Sequence, residues 1–228
     1  MNYIKLLAVL IAFAMTGCGG GGGGSEISNN TIRQLQIGDQ INYSFTYTYG
    51  SDGELFTTTS TFRQTVYSSP YNPLYGNRSL KLELVYNLLT INNKISTAAQ
   101  DVYIEQDSAG NIYSLGPEER YPVNATAPPR DYNSPMFVGQ THTYTASYSD
   151  GITNTNNWSV DSIETVAGYK AYKVHCHSTA SNGTTIDASY WFVPALGCNV
   201  KKIIVVQGNE DGQLWQIEYE FTMTSKNF

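Results

Sequence analysis

Cysteine is scarce, and positive charge is scarcer than negative. Three cysteines in 228 residues rule against a disulfide-dense scaffold. Thirteen Lys+Arg against 19 Asp+Glu, with no basic run, argue against nucleic acid as a partner, because a phosphate backbone is held by clustered cations. Histidine is limited to His142, His175 and His177, which leaves few candidates for metal ligation or proton transfer. No segment repeats apolar residues at helical spacing. Sequence motifs that announce catalysis are missing as well: there is no Gly-x-Ser-x-Gly elbow, no zinc-protease His-Glu-x-x-His, and no Cys-His pair with an accessible thiol on the same side as the imidazole. The carboxylate pairs Glu118-Glu119 and Glu210-Asp211 fall in loops, where solvated charge is the expected role. The expectation is a protein that is not an enzyme and needs no cofactor.

The amino terminus is informative. Residues 1–17 carry one charge, Lys5, followed by the apolar run Leu6 to Met15 and then Thr16-Gly17-Cys18, the layout of an export signal. That run is half of the roughly 20 residues a helix needs to cross a bilayer. The small residues before Cys18 resemble the lipobox of bacterial lipoproteins, although Met15 stands where that family usually has Leu. The resemblance implies that residues 1–17 are removed and that Cys18 is acylated, palmitate being a usual chain. Several acyl chains on one residue exceed what stable anchoring requires, at about 0.8 kcal/mol per buried methylene. In lipoprotein sorting, Asp after the cysteine retains a protein at the inner membrane; here the residue is Gly19. The expected location is therefore the outer membrane, facing either the periplasm or the cell surface. Residues 18–32, opening with Gly19 to Gly24, form a flexible tether that reaches roughly 20 Å by random-coil scaling. Losing Lys5 leaves 12 basic against 19 acidic residues, a net charge of −7.

Beyond the tether, period-2 alternation dominates. Ile41, Tyr43, Phe45, Tyr47 and Tyr49 alternate with polar residues; so do Leu80 to Leu88 and Trp215 to Met223. This is the pattern of strands with one buried face. Short turn sequences such as Asp52-Gly53, Asn92-Asn93-Lys94, Asn182-Gly183 and Asp211-Gly212 separate the runs and can join only antiparallel neighbours. The class is all-β, built of antiparallel meanders. Gly38, Tyr43 and Tyr47 recur as Gly139, Tyr144 and Tyr148 at an offset of 101, and Tyr103 and Gly110 as Tyr190 and Gly197 at an offset of 87. One domain over residues 33–226 is expected, made of two structural repeats, 33–116 and 136–226, joined by the Pro-rich stretch Pro117 to Pro135. Two such halves can pack as a sandwich or continue as one strongly curved open barrel.

The stretch Val166-Ala167-Gly168-Tyr169-Lys170-Ala171-Tyr172-Lys173-Val174, with Tyr190-Trp191-Phe192-Val193-Pro194-Ala195-Leu196-Gly197 and Val200-Lys201-Lys202, resembles a pattern of β-rich bacterial envelope lipoproteins of unknown function. The resemblance covers about 40 residues. It implies hairpins whose Tyr and Trp pack the core, with Pro194 to Gly197 as a turn, and it names no activity.

Several residues stand out as candidate sites. Cys176 and Cys198 make an even pair in an oxidising compartment, yet an intervening strand would hold them beyond disulfide reach unless Cys198 folds back. His175 and His177 flank Cys176 and share a strand face; they could hold zinc or copper if a third ligand joined them, His142 being the only other histidine, or they are surface residues. The Asp-Gly loops lack the spaced acidic pattern of a calcium loop. Tyr43, Tyr47, Tyr144 and Tyr148 either line a cleft for an apolar ligand or fill the core. The loop from Ser68 to Ser79, present only in the first half, exposes Tyr71, Leu74 and Tyr75 as a candidate contact surface. The six Asn-x-Ser/Thr sequons, such as Asn42-Tyr43-Ser44, are read as chance in a chain this rich in Asn, Ser and Thr. The leading reading is a non-enzymatic binding or structural module of the envelope, held by acyl chains on Cys18 and engaging an envelope protein partner. One alternative is a carrier or sensor of an apolar ligand, lipid or lipidated cargo, in a half-barrel cavity. Another is a metal-binding protein or hydrolase using His142, His175 and His177.

Overall fold

A computed structural model of the chain describes residues 30–51, 54–89, 95–117, 122–125, 129–210 and 212–228. Residues 1–29, and with them the export signal, Cys18 and most of the tether, lie outside the described residues, as do the Asp52-Gly53 and Asn92-Asn93-Lys94 turns and Asp211.

Among the described residues, thirteen strands form one sheet: β1 (Gln40–Ser51), β2 (Glu54–Ser68), β3 (Arg78–Leu89), β4 (Ile95–Gln106), β5 (Ile112–Pro117), β6 (Pro122–Ala125), β7 (Arg130–Tyr132), β8 (Thr141–Tyr148), β9 (Thr153–Val166), β10 (Tyr169–Ala180), β11 (Thr185–Val193), β12 (Cys198–Glu210) and β13 (Gln213–Lys226). Every pairing is antiparallel and the order is β6-β8-β9-β10-β11-β12-β13-β1-β2-β3-β4-β5-β7. Of the two architectures left open by the sequence, the molecule adopts the strongly curved one, a nearly closed barrel-like sheet.

The closure follows from the chain path. β1 and β13, at opposite ends of the folded sequence, are neighbours in the middle of the sheet, with Phe45 opposite Phe221 and Tyr47 opposite Tyr219. The Pro-rich stretch expected as a plain connector supplies a strand to each sheet edge, β6 beside β8 and β7 beside β5. Only four residues separate β6 from β7, so covalent reach holds the two edges within roughly 18 Å of each other. Prolines suit this place, since a residue without an N–H is tolerated at a sheet edge.

The strand alternation read from sequence holds through the core. One contiguous buried cluster runs from Ile32 to Phe221 and includes Tyr43, Phe62, Tyr86, Tyr132, Trp158 and Phe192. Its rings stack closely, Tyr132 on Phe192 at 4.0 Å and Phe62 on Tyr86 at 4.7 Å between centroids. Register shifts occur at Asn42/Tyr43, Tyr103/Ile104, Lys173/Val174 and Trp191/Phe192. These four, with a fifth at Ile112/Tyr113, lie toward the end where β1 and β12 begin, and a sixth at Pro122/Asn124 lies toward the opposite end; such bulges increase local twist and bend the strand.

Candidate functional site: the closed end of the barrel

The residues preceding β1 cross the barrel mouth and shut it. Asn30 and Met136 exchange bonds: the Met136 N–H donates to the Asn30 carbonyl at 2.8 Å, and Asn30 Nδ2 donates to the Met136 carbonyl at 2.9 Å. Farther along, the Arg33 N–H donates to the Pro194 carbonyl at 3.0 Å. Buried Gln106 then serves as a surrogate strand, its Oε1 accepting from the Leu35 N–H at 2.8 Å and its Nε2 donating to the Arg33 carbonyl at 2.9 Å. With the backbone thus satisfied, Ile32 and Leu35 enter the core. Gly110 is required there: a Cβ at this position would lie 2.4 Å from the Ile32 carbonyl oxygen, and its φ of +96° is one that L side chains rarely adopt.

A buried carboxylate organises the neighbouring loop. Glu105, fully enclosed on β4, accepts from the N–H groups of Leu74 at 2.5 Å, Tyr75 at 3.1 Å and Asn77 at 3.1 Å. Charge-assisted bonds of this kind are the strong ones. They fix the loop that the sequence marked for contact and sort its apolar residues. Tyr71 and Leu74 face solvent, whereas Tyr75 is half-buried beside Tyr113, its hydroxyl pKa raised by burial and then by Glu105. Two further turns at this end are held the same way: the Gly38 N–H donates to the Val66 carbonyl at 2.8 Å, and the Gly139 N–H to the Val160 carbonyl at 2.7 Å. Those turns present Ile37, Phe137 and Val138 to solvent. Sequence reasoning missed these three residues and Glu105. The only signal for the former was an apolar residue next to a turn glycine, and Glu105 reads as an ordinary polar position at a strand end.

The other candidates are placed differently. Tyr43, Tyr144 and Tyr148 are buried core residues, and Tyr47 packs against Tyr219, so the four do not share one cleft; Tyr43 alone of them borders an open depression. The Tyr43 hydroxyl donates to the Asn199 carbonyl at 2.9 Å, Tyr132 donates to Asn199 Oδ1 at 3.0 Å, and Lys202 sits over the Tyr43, Phe62 and Phe221 rings at 5.0 to 5.9 Å. This cluster joins β1 and β7 to the start of β12 inside the barrel, near the closed end.

Cys176 and Cys198 are both buried free thiols. Cys176 pairs with Ala188 and, one strand on, Ala188 pairs with Ile204. Cys198 therefore lies six residues away along β12, roughly 20 Å, and the bridge held open by their even number is not formed. His175 and His177 point outward and share one carboxylate, His177 Nδ1 at 2.9 Å and His175 Nε2 at 3.5 Å from Asp187 Oδ1. His142 stands on the opposite, inner face, stacked at 5.9 Å on Trp158 and bonded to the Arg130 carbonyl; burial lowers its pKa. The three histidines do not converge, and among the described residues no group of ligand-type side chains is arranged to hold a metal ion. That corrects the reading of a metal or hydrolase site built from them.

Two cavities bear on ligand binding. An inner one of about 10 Å³, near Asp131, His142 and Trp158, has room for about one water. Burial pushes the Asp131 carboxyl well above the usual carboxylate range. The other is an open depression of about 360 Å³, with the apolar residues Tyr43, Phe62 and Val85 in its wall beside Asn42, Thr61, Arg63 and Asn87.

The sequence matches no protein-family model and no curated protein. Three solved structures are similar in shape at low sequence identity. A Bacteroides fragilis protein described as exported, with a YmcC-like fold, is 14% identical with a TM-score of 0.41, covering 86% of this chain and 99% of that one. A Parabacteroides distasonis protein described as a lipoprotein is 9% identical with a TM-score of 0.36, covering 89% and 100%. A DUF1329 family protein from Desulfovibrio piger is 9% identical with a TM-score of 0.24, covering 84% and 86%.

Proposed function

We propose that this chain is a cell-envelope lipoprotein, anchored in the outer membrane by acyl chains on Cys18, whose β domain is a non-enzymatic binding or structural module. The observation that carries the reading is the filling of the barrel. Stacked Tyr, Phe and Trp rings occupy the interior, with Tyr43, Tyr144 and Tyr148 buried among them and Tyr47 packed against them. A packed interior supports a module that works through its surface and speaks against a carrier of lipid or lipidated cargo. A partner protein in the envelope would meet the Thr- and Asn-rich outer faces of the strands.

Metabolic labelling with a clickable palmitate analogue tests the anchor. The wild-type chain should incorporate label and sediment with outer membranes, and Cys18→Ala should do neither. Equal labelling of the two chains, or a wild-type product still beginning at Met1, would remove the reading.

A further inference from the structure

We infer that the closed end of the barrel docks on the lipid headgroup layer, so that the domain stands on the membrane with its shut mouth down. This deepens the proposed function and rests on its anchor for the membrane concerned.

Scattered exposed apolar residues are ordinary on any protein surface; concentration of them at one place is not. Among the residues whose side-chain burial the structure describes, eight large hydrophobic side chains are exposed, and six belong to the closed end: Ile37, Tyr67, Tyr71, Leu74, Phe137 and Val138. Ile163 lies on the flank of β9, and Leu214, at the start of β13, belongs to the opposite end. Ile37, Leu74 and Phe137 are 60%, 57% and 53% exposed. Each sits on a turn already fixed by the bonds from Gly38, Glu105 or Gly139. Presenting them to a surface therefore costs little additional ordering.

Two observations select a bilayer as the occupant. The chain joins the domain at this same end, through Asn30, and only 11 residues separate Asn30 from Cys18, a random-coil reach of roughly 20 Å. The apolar rim is thus the part of the domain that such a tether keeps nearest the lipid. Of the charges at this end, Arg78 and Lys170 are the exposed cations beside the rim, the acids Asp39 and Glu105 are buried and hydrogen-bonded, and Asp107 and Glu164 are half-buried. Apolar side chains flanked by cations match an interface whose headgroups are anionic.

The test uses the full mature chain in vesicles of phosphatidylethanolamine and phosphatidylglycerol, with a polarity-sensitive dye on Leu74→Cys, Phe137→Cys or Leu214→Cys. Bromine-labelled lipids should quench the dye at 74 and 137 at least about twofold more than at 214. Equal quenching at the two ends, or stronger quenching at 214, overturns the docking. So does a rim that resists lipid quenching but crosslinks to a protein in intact envelopes, which would make it a protein interface. A Cys18→Ala mature chain with an added amino-terminal hexahistidine, held on nickel-chelating lipid, separates the two claims. Quenching there without native acylation overturns the anchor alone, and no quenching in either format overturns the docking alone.

Discussion

Replacing Glu105 with Ala should loosen one side of the closed end by an amount the structure lets us estimate. Three backbone N–H groups, of Leu74, Tyr75 and Asn77, donate to this buried carboxylate, and a hydrogen bond to a charged group contributes roughly 1.5–3 kcal/mol. The sum is not the cost, because the loop can lift away and return its amides to water. The remaining loss, of packing between the loop and β4 and of the favourable contacts of a charge already buried, is about 3 kcal/mol. A domain of this size has a urea dependence of about 2–3 kcal/mol per molar, so the unfolding midpoint should fall by about 1 M. Hydrogen exchange reads the same event locally, with protection of the Leu74, Tyr75 and Asn77 amides lost while the β9–β11 amides keep theirs. Glu105→Gln, which preserves shape but offers one acceptor and turns an N–H₂ toward the loop donors, should fall between wild type and Ala. A midpoint moved by less than about 0.2 M, with loop exchange unchanged, would refute the assignment of Glu105 as the organiser of this loop.

Other outcomes follow from single contacts. Gly208→Ala should cost about 1–3 kcal/mol and alter tryptophan fluorescence, because the new Cβ would lie 2.3 Å from Cζ2 of Trp215, its cross-strand partner; unchanged stability would contradict the packing. Gly110→Ala should raise exchange at the Ile32 and Leu35 amides, since it meets the Ile32 carbonyl oxygen at 2.4 Å; retained protection would mean the plug is not seated as described. Asp131, raised by burial, folds preferentially as the neutral acid, so its contribution is full below the unfolded carboxylate value of about 3.9 and is lost as pH rises through the folded one. Asp131→Asn should therefore be more stable than wild type at pH 7 and similar to it near pH 3, the comparison cancelling the opposite slope expected from His142. A difference that does not grow with pH would refute it. Non-reducing peptide mass spectrometry should find Cys176 and Cys198 as separate thiols, alkylated only on unfolding because both are buried; a linked peptide would contradict the register.

Much of the candidate end was hidden in the sequence for a definite reason. Tyr71 and Leu74 could be singled out because prolines and a glycine bracket them in a loop without a counterpart in the second half. Ile37, Phe137 and Val138 are lone apolar residues beside turns, and nothing local says that three separate turns meet at one rim. The histidines show the converse: alternation put His175 and His177 together on one strand face, and the structure adds that His142 stands on the inner face, stacked on Trp158.

By itself the sequence determined the strands, their antiparallel sense and the face each buries, because side-chain alternation and short turns are local properties of a β chain. It also carries the whole case for an acylated Cys18, which is written in the order of residues. Tertiary structure alone decided that β13 pairs with β1, that the Pro-rich stretch furnishes both edges, that the interior is filled by rings, and that the apolar turns gather where the chain arrives from its tether. Those outcomes depend on contacts between separate stretches of chain, more than a hundred positions apart where β1 meets β13, and no periodicity records which strands will share a hydrogen-bond ladder.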